Sequence, residues 1–154
     1  MMADRMSAGE VCSRKVTTAY RGTLVSDAAR LMREQHVGCL VIVEQADPGR
    51  VVVGILTDRT IVTEAVAKEL DSRLIAVREI MTTDVVTARE QDSVLDLLEL
   101  MRRKRIRRIP VTGPQNLLIG IVTLDDLLEV LAEEMQAMAG AIGVRRKGES
   151  TANP

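Results

Sequence analysis

An α+β fold in which one β-α-β-β-α unit occurs twice is predicted for this chain, and three observations carry the prediction. Two nine-residue stretches, "GILTDRTIV" at 54–62 and "GIVTLDDLL" at 120–128, make the same switch from strand-like to helix-like patterning. Upstream, "LVSDAARLMREQHVGCLVIV" at 24–43 aligns with "SVLDLLELMRRKRIRRIPVT" at 93–112, matching Val25, Asp27, Leu31 and Met32 to Val94, Asp96, Leu100 and Met101. The offset is 69 residues up to the loop before the last strand (Asp27 to Asp96) and 66 after it (Gly54 to Gly120). The difference falls in "EQADPGR" against "GPQN", a loop, where a change of length costs least.

Each unit opens on a short strand, residues 16–19 and 85–88, followed by a polar turn. A helix comes next, with apolar positions at helical spacing: Leu24, Ala28, Leu31 and Met32 in the first unit, Val94, Leu97, Leu98, Leu100 and Met101 in the second. Thr23 and Asp92 stand at equivalent N-cap positions. Apolar strands at 39–43 and 109–112 lead through Pro48-Gly49 or Gly113-Pro114 into strands at 51–56 and 118–122. A second helix closes each unit, from Asp58 to about residue 70 and from Leu124 to about residue 138. The units span 8–70 and 80–136, with 71–79 as a linker in an extended connection, "DSRLIAVREIM". The stretch 140–154, ending "GVRRKGESTANP", has lost apolar periodicity and is expected to be disordered.

Composition limits the function classes. The chain has 154 residues, 46% of them hydrophobic, with no Phe or Trp and with Tyr20 as its one aromatic, so its core is aliphatic. A net charge of −1, from 21 basic and 22 acidic residues, opposes general nucleic-acid affinity and makes the basic run "RRKRIRRIPV" at 102–111 a local feature. Cys12 and Cys39 sit in apolar surroundings without CxxC spacing and read as two reduced, buried thiols. No stretch reaches the roughly 18–20 apolar residues that span a bilayer, and "MMADRMSAGE" lacks the apolar core of a signal peptide, so no membrane and a cytoplasmic location are expected. His36, the only histidine, has no partners for a metal site and reads as an exposed or helix-capping residue. Nothing matches a Ser-His-Asp set, a P-loop or framed catalytic carboxylates, so catalytic residues and metal ligands are expected to be absent.

The segments "IMTTDVVTA" at the opening of the second unit, "RRIPV" on its middle strand, and "GILTDRT" and "GIVTLDD" at the strand-to-helix turns resemble the cystathionine β-synthase (CBS) domain. The pair resembles a stand-alone Bateman module over about residues 8 to 136. The resemblance implies repeats packed through their sheets with pseudo-two-fold symmetry, two equivalent clefts between them, disc-like homodimers, and regulatory sensing of adenosine-containing ligands rather than catalysis.

Thr123 and Asp126 have the spacing of a capping box ahead of an apolar run. The same geometry suits a nucleotide, because a helix N-terminus offers free N–H groups to phosphate and a carboxylate accepts from ribose hydroxyls. The family pattern Gly-apolar-x-Thr/Ser-x-x-Asp is met in full by Gly120, Ile121, Thr123 and Asp126, and the resemblance assigns that Asp to the ribose. In the first unit Gly54, Ile55 and Thr57 match, but Thr60 replaces the carboxylate, and a hydroxyl makes a weaker, uncharged bond. By position the resemblance places adenine against Met81, Val86 and Ile106 in the second unit, with Cys12, Thr17 and Val37 as their equivalents and Cys39 also lining the first site.

Arg102, Arg103 and Lys104 end a helix and read as solvated, and Arg105 is left open. Arg107 and Arg108 stand at the mouth of the middle strand, where the resemblance places phosphate-contacting basic groups. The first unit has Gly38 and Cys39 there, so the arginines and Asp126 are expected in one good site, with Cys12, Thr17, Val37, Cys39, Thr57 and Thr60 forming a degenerate one. The expected ligand is AMP, ADP or ATP, ahead of NAD, S-adenosylmethionine or a cyclic dinucleotide, with no cofactor required. The expected partners are a second copy in a homodimer and an unidentified regulated protein, reached through the tail or an acidic helix face (Glu129, Glu133, Glu134). The alternative is a ligand-free interaction or dimerisation module, which Thr60 favours and the intact second motif opposes. Nucleic-acid binding is opposed by the charge balance and the lack of aromatic stacking partners.

Overall fold

The computed structural model describes the backbone of residues 6–151 and the side chains of residues 6–143. The first repeat comprises α1 (Ala8–Val11), β1 (Thr18–Tyr20), α2 (Val25–Gln35), β2 (Cys39–Gln45), β3 (Arg50–Thr57) and α3 (Asp58–Ile61), which runs into a π-helical turn over Val62–Val66. A 3₁₀ turn, Val77–Glu79, opens the second, followed by β4 (Ala88–Arg89), α4 (Val94–Lys104), β5 (Arg108–Thr112), β6 (Leu118–Thr123) and α5 (Leu124–Thr151). The strands form two three-stranded sheets, β1-β2-β3 and β4-β5-β6. In each, the first pair is parallel and the second antiparallel, with a bulge at the equivalent places Ile42/Val43 and Val111/Thr112. This is the mixed α+β architecture that the repeat pattern predicts.

Three clusters of aliphatic side chains hold the repeats. One gathers Val25, Leu40, Ile42 and Leu56 in the first repeat, and one gathers Val94, Leu97, Ile109 and Leu127 in the second. The third joins the two, with Val41, Val43 and Val52 from the first repeat packed against Val85, Leu118 and Ile121 from the second. Val16 and Val85 belong to this seam, which is why β1 and β4 start later than expected, at Thr18 and Ala88.

The segments that enter each repeat cross to the other one. Ala8 N–H donates to the Asp92 carbonyl at 2.7 Å, and the equivalent Val77 N–H donates to the Thr23 carbonyl at 2.7 Å. Farther along, Ser13 and Ile121 exchange a pair of backbone hydrogen bonds, both 2.9 Å, and Thr82 and Ile55 exchange another at 3.0 and 2.9 Å. Ala8 therefore closes the core of the second repeat and Val77 that of the first. The crossings explain the glycine in each "GI-x-T" motif. A Cβ on Gly120 would lie 2.7 Å from both Cys12 Sγ and the Ser13 carbonyl oxygen; one on Gly54 would lie 2.6 Å from Met81 Sδ and 3.1 Å from the Thr82 carbonyl oxygen.

Several local expectations are corrected. Thr23 and Asp92 are not N-caps: they close the turns before the helices, accepting from the backbone N–H of Tyr20 at 3.1 Å and of Arg89 at 2.9 Å. The N-caps are the next residues, Leu24, without a side-chain bond, and Ser93, in a capping box with Asp96. The helix from Asp58 is α-helical only to Ile61 before the π turn. The helix α5 passes the expected end near 138 and continues through 140–151, where disorder is expected. Alanines at 137, 139 and 141 favour helix there, and Gly140 and Gly143 cost only their propensity, about 1 kcal/mol each. Residues 152–154 of that stretch lie outside the described residues. His36 is exposed and caps α2 in the left-handed conformation (φ 54°), and Arg105 does the same for α4 (φ 55°). Among the described residues no helix is long and apolar enough to cross a membrane.

Two consequences can be measured by urea unfolding. Leu127→Ala, at a fully buried position, is expected to cost about 2–5 kcal/mol, whereas Leu128→Ala, at a position 52% exposed, costs less than about 1 kcal/mol. Gly120→Ala is expected to cost about 1–3 kcal/mol, because its methyl meets backbone at the Ser13 crossing as well as the Cys12 side chain.

Candidate functional site

The crossings leave one cleft on each side of the seam, related by the repeat symmetry. The larger, about 570 Å³, lies between the β3–α3 turn of the first repeat (Thr57, Thr60) and the second repeat's Val86, Ile106, Arg107 and Arg108. The smaller, about 230 Å³, lies between Ile121 and Thr123 of the second repeat and the first repeat's Thr17, Val37, Gly38 and Cys39. Each cleft thus takes its strand-to-helix turn from one repeat and its apolar wall from the other.

This geometry regroups the residues expected from the sequence. Arg107 and Arg108 are expected beside Thr123 and Asp126; both face Thr57 and Thr60 across the larger cleft, together with Val86 and Ile106. Arg108, the ladder partner of Thr123, also lines the smaller cleft beside it. Thr123 faces Thr17, Val37 and Cys39, the residues expected to form the degenerate first site. The physical reason is the crossing: the segment bearing Thr17 pairs with β6, and the segment bearing Val86 pairs with β3. Met81 and Cys12 line neither wall. The crossing turns their side chains onto Gly54 and Gly120, beneath the strands.

Both turns are built alike. The Thr123 hydroxyl accepts from Asp126 N–H at 3.2 Å, and Asp126 Oδ2 accepts from Thr123 N–H at 3.2 Å, completing the capping box. Among the described hydrogen bonds only that one carboxylate oxygen is engaged. In the first repeat Thr57 accepts from Thr60 N–H at 3.2 Å, and the two hydroxyls lie 3.0 Å apart. The Thr60 hydroxyl is thus turned back onto its own cap.

The charges differ between the clefts. Arg59, Arg105, Arg107 and Arg108 line the larger one, against Asp58 and Asp84. Lys15 and the reach of Arg108 supply the smaller one. Arg105, left open by the sequence, enters the larger cleft because its left-handed cap turns the chain there. Arg102 is solvated and paired with Glu99 at 3.0 Å, and Arg103 and Lys104 are exposed. Burial pushes the Cys39 thiol up to about 11, with Arg108 pulling the other way and Asp58 adding to the rise. Burial also raises Cys12, against the pull of Arg14. Cys39 therefore stays a neutral thiol at neutral pH and serves as wall rather than nucleophile. A further cavity of about 700 Å³ lies apart from these clefts, among polar turns at Thr87–Asp92 and Thr112–Asn116. It lacks an apolar wall and the repeat-related counterpart that the two clefts have in each other.

Comparison with known proteins agrees with this architecture. The CBS domain-containing protein YhcV of Bacillus subtilis is 36% identical over 121 residues, covering 79% of this chain and 82% of that one. Protein MK0525 of Methanopyrus kandleri is 36% identical over 125 residues, 81% of this chain, and the match spans 62% of that protein's length. The solved CBS domain pair of protein MJ0100, in complex with 5-methylthioadenosine and S-adenosyl-L-methionine, superposes with a TM-score of 0.73 at 26% identity, covering 84% of this chain and 98% of that one. The family model of the CBS domain matches residues 8–67 and again 77–133, and the chain belongs to that family as a tandem pair of CBS domains.

Proposed function

We propose that this chain is a regulatory module that binds an adenosine-containing ligand in the clefts between its repeats, with AMP, ADP or ATP ahead of S-adenosylmethionine, NAD or a cyclic dinucleotide. The observation that carries the reading is the construction of each cleft from both repeats. A nucleoside in the smaller cleft meets Thr123 from one repeat and Val37 and Thr17 from the other, with Asp126 reached through its bond to Thr123. Such a ligand favours whichever inter-repeat angle lets it touch both walls, and a difference in affinity between two angles is what shifts a population. The MJ0100 pair, solved with two adenosine compounds, supports the ligand class. The neutral Cys39 thiol supports a binding rather than a catalytic role.

The module acts in the cytoplasm as a homodimer. The repeat-equivalent Val62 and Leu128 are 56% and 52% exposed on the helices that follow the two turns, and a repeat-related pair of exposed apolar side chains suits a second copy. The partner protein that reads the ligand meets the acidic side of α5 at Glu129 and Glu133.

A thermal-shift panel of AMP, ADP, ATP, S-adenosylmethionine and NAD tests the ligand. At about 100-fold excess over its Kd, the bound compound adds about 2.7 kcal/mol, a rise on the order of 5–10 °C for a chain of this size. Asp126→Ala lowers the ligand-free Tm through the lost capping bond and removes at least half of the ligand-induced rise. No rise with any adenosine compound would favour the ligand-free interaction module instead.

A further inference from the structure

Arg108 belongs to both clefts at once. The lining of the smaller cleft maps onto the larger by the repeat offset: Thr17 onto Val86, Val37 onto Ile106, Gly38 onto Arg107, Ile121 onto Ile55, Thr123 onto Thr57. Arg108 alone breaks the correspondence. Its own counterpart, Cys39, stays in the smaller cleft, whereas Arg108 lines the larger cleft and also reaches across the seam into the smaller one.

The missing side chain at position 38 makes the reach possible. A Cβ there would lie 3.2 Å from Arg108 Nη2 and 2.9 Å from Asp58 Oδ2, so both groups occupy space that any other residue would fill. The influence of Arg108 on Cys39 shows that its charge is felt on the far side of the seam. Arg108 is half-buried, and none of the described ion pairs or side-chain hydrogen bonds engages it. It is one cation lining two clefts.

Building on the adenosine-binding reading, we propose that Arg108 is shared between the two clefts, so that a phosphate held in one withdraws it from the other and phosphorylated ligands fill the pair anticooperatively. Unphosphorylated adenosine, which has nothing for the guanidinium to grip, fills the two clefts independently. Coupling of this kind is reciprocal: each cleft weakens the other by the same factor.

Amide NMR titrations separate the clefts, with the Thr60 amide reporting on the larger and the Thr123 amide on the smaller, and with ATP and adenosine as probes. Arg108→Ala is expected to weaken ATP about fivefold or more at both reporters while leaving adenosine unchanged. Arg107→Ala, a change in the larger cleft alone, weakens ATP only at Thr60. Gly38→Ala, which keeps the charge and blocks the reach, weakens ATP at Thr123 and not at Thr60. Emptying the smaller cleft with Asp126→Ala tightens ATP at Thr60 when Arg108 is present and has no effect there in the Arg108→Ala background. An effect of Arg108→Ala at one reporter only, or an equal loss for ATP and adenosine, overturns the sharing and leaves the adenosine reading standing. No shift at either reporter with either probe overturns both.

Discussion

Two backbone crossings position everything else in this molecule. At each, a segment entering one repeat forms a pair of hydrogen bonds with the last strand of the other, Ser13 with Ile121 and Thr82 with Ile55. The strand must be bare at that place, which accounts for Gly54 and Gly120. The core must be closed from outside, which accounts for Ala8 against the second repeat and Val77 against the first. Neither repeat completes its own core, so burial in one depends on the chain of the other. The cleft walls inherit this exchange, and a ligand between them necessarily bridges the two halves.

The repeat order was legible because it rests on local chemistry. Apolar positions at helical spacing, the "GI-x-T" switch and the Thr123-x-x-Asp126 cap are all written within a few residues of one another, and each is found where its pattern places it. What the alignment of one repeat on the other cannot supply is which turn faces which wall. Matching Thr123 to Thr57 and Val86 to Thr17 establishes equivalence within a repeat, while facing depends on pairing between Ser13 and Ile121, far apart in sequence. Placing Arg107 in one site with Asp126 followed from assuming that a repeat builds its own site, whereas Arg108 does line the cleft that holds its ladder partner Thr123. The glycines held the missing signal, since a glycine inside a strand marks a close backbone approach. Thr23 and Asp92 misled for a smaller reason: a residue that closes a turn and a residue that caps a helix have the same side chains and lie one position apart.

The exchange also separates two chemistries that the sequence places together. The carboxylate suited to ribose hydroxyls is hydrogen-bonded to Thr123 of the smaller cleft. Of the arginines suited to phosphate, Arg108 stands in both clefts and Arg107 in the larger one, where Thr60 offers only a hydroxyl already turned to its own cap. An adenosine ligand therefore meets two unlike environments in one chain, joined by the guanidinium that spans them. The construction of each cleft from both repeats underlies all of this, and a crystal structure of the protein with adenosine bound tests it most directly. The account predicts a nucleoside with its ribose at Thr123 and Asp126 and its base against Val37 and Thr17. A nucleoside with its ribose at Thr123 and its base against Val86 and Ile106 would contradict it.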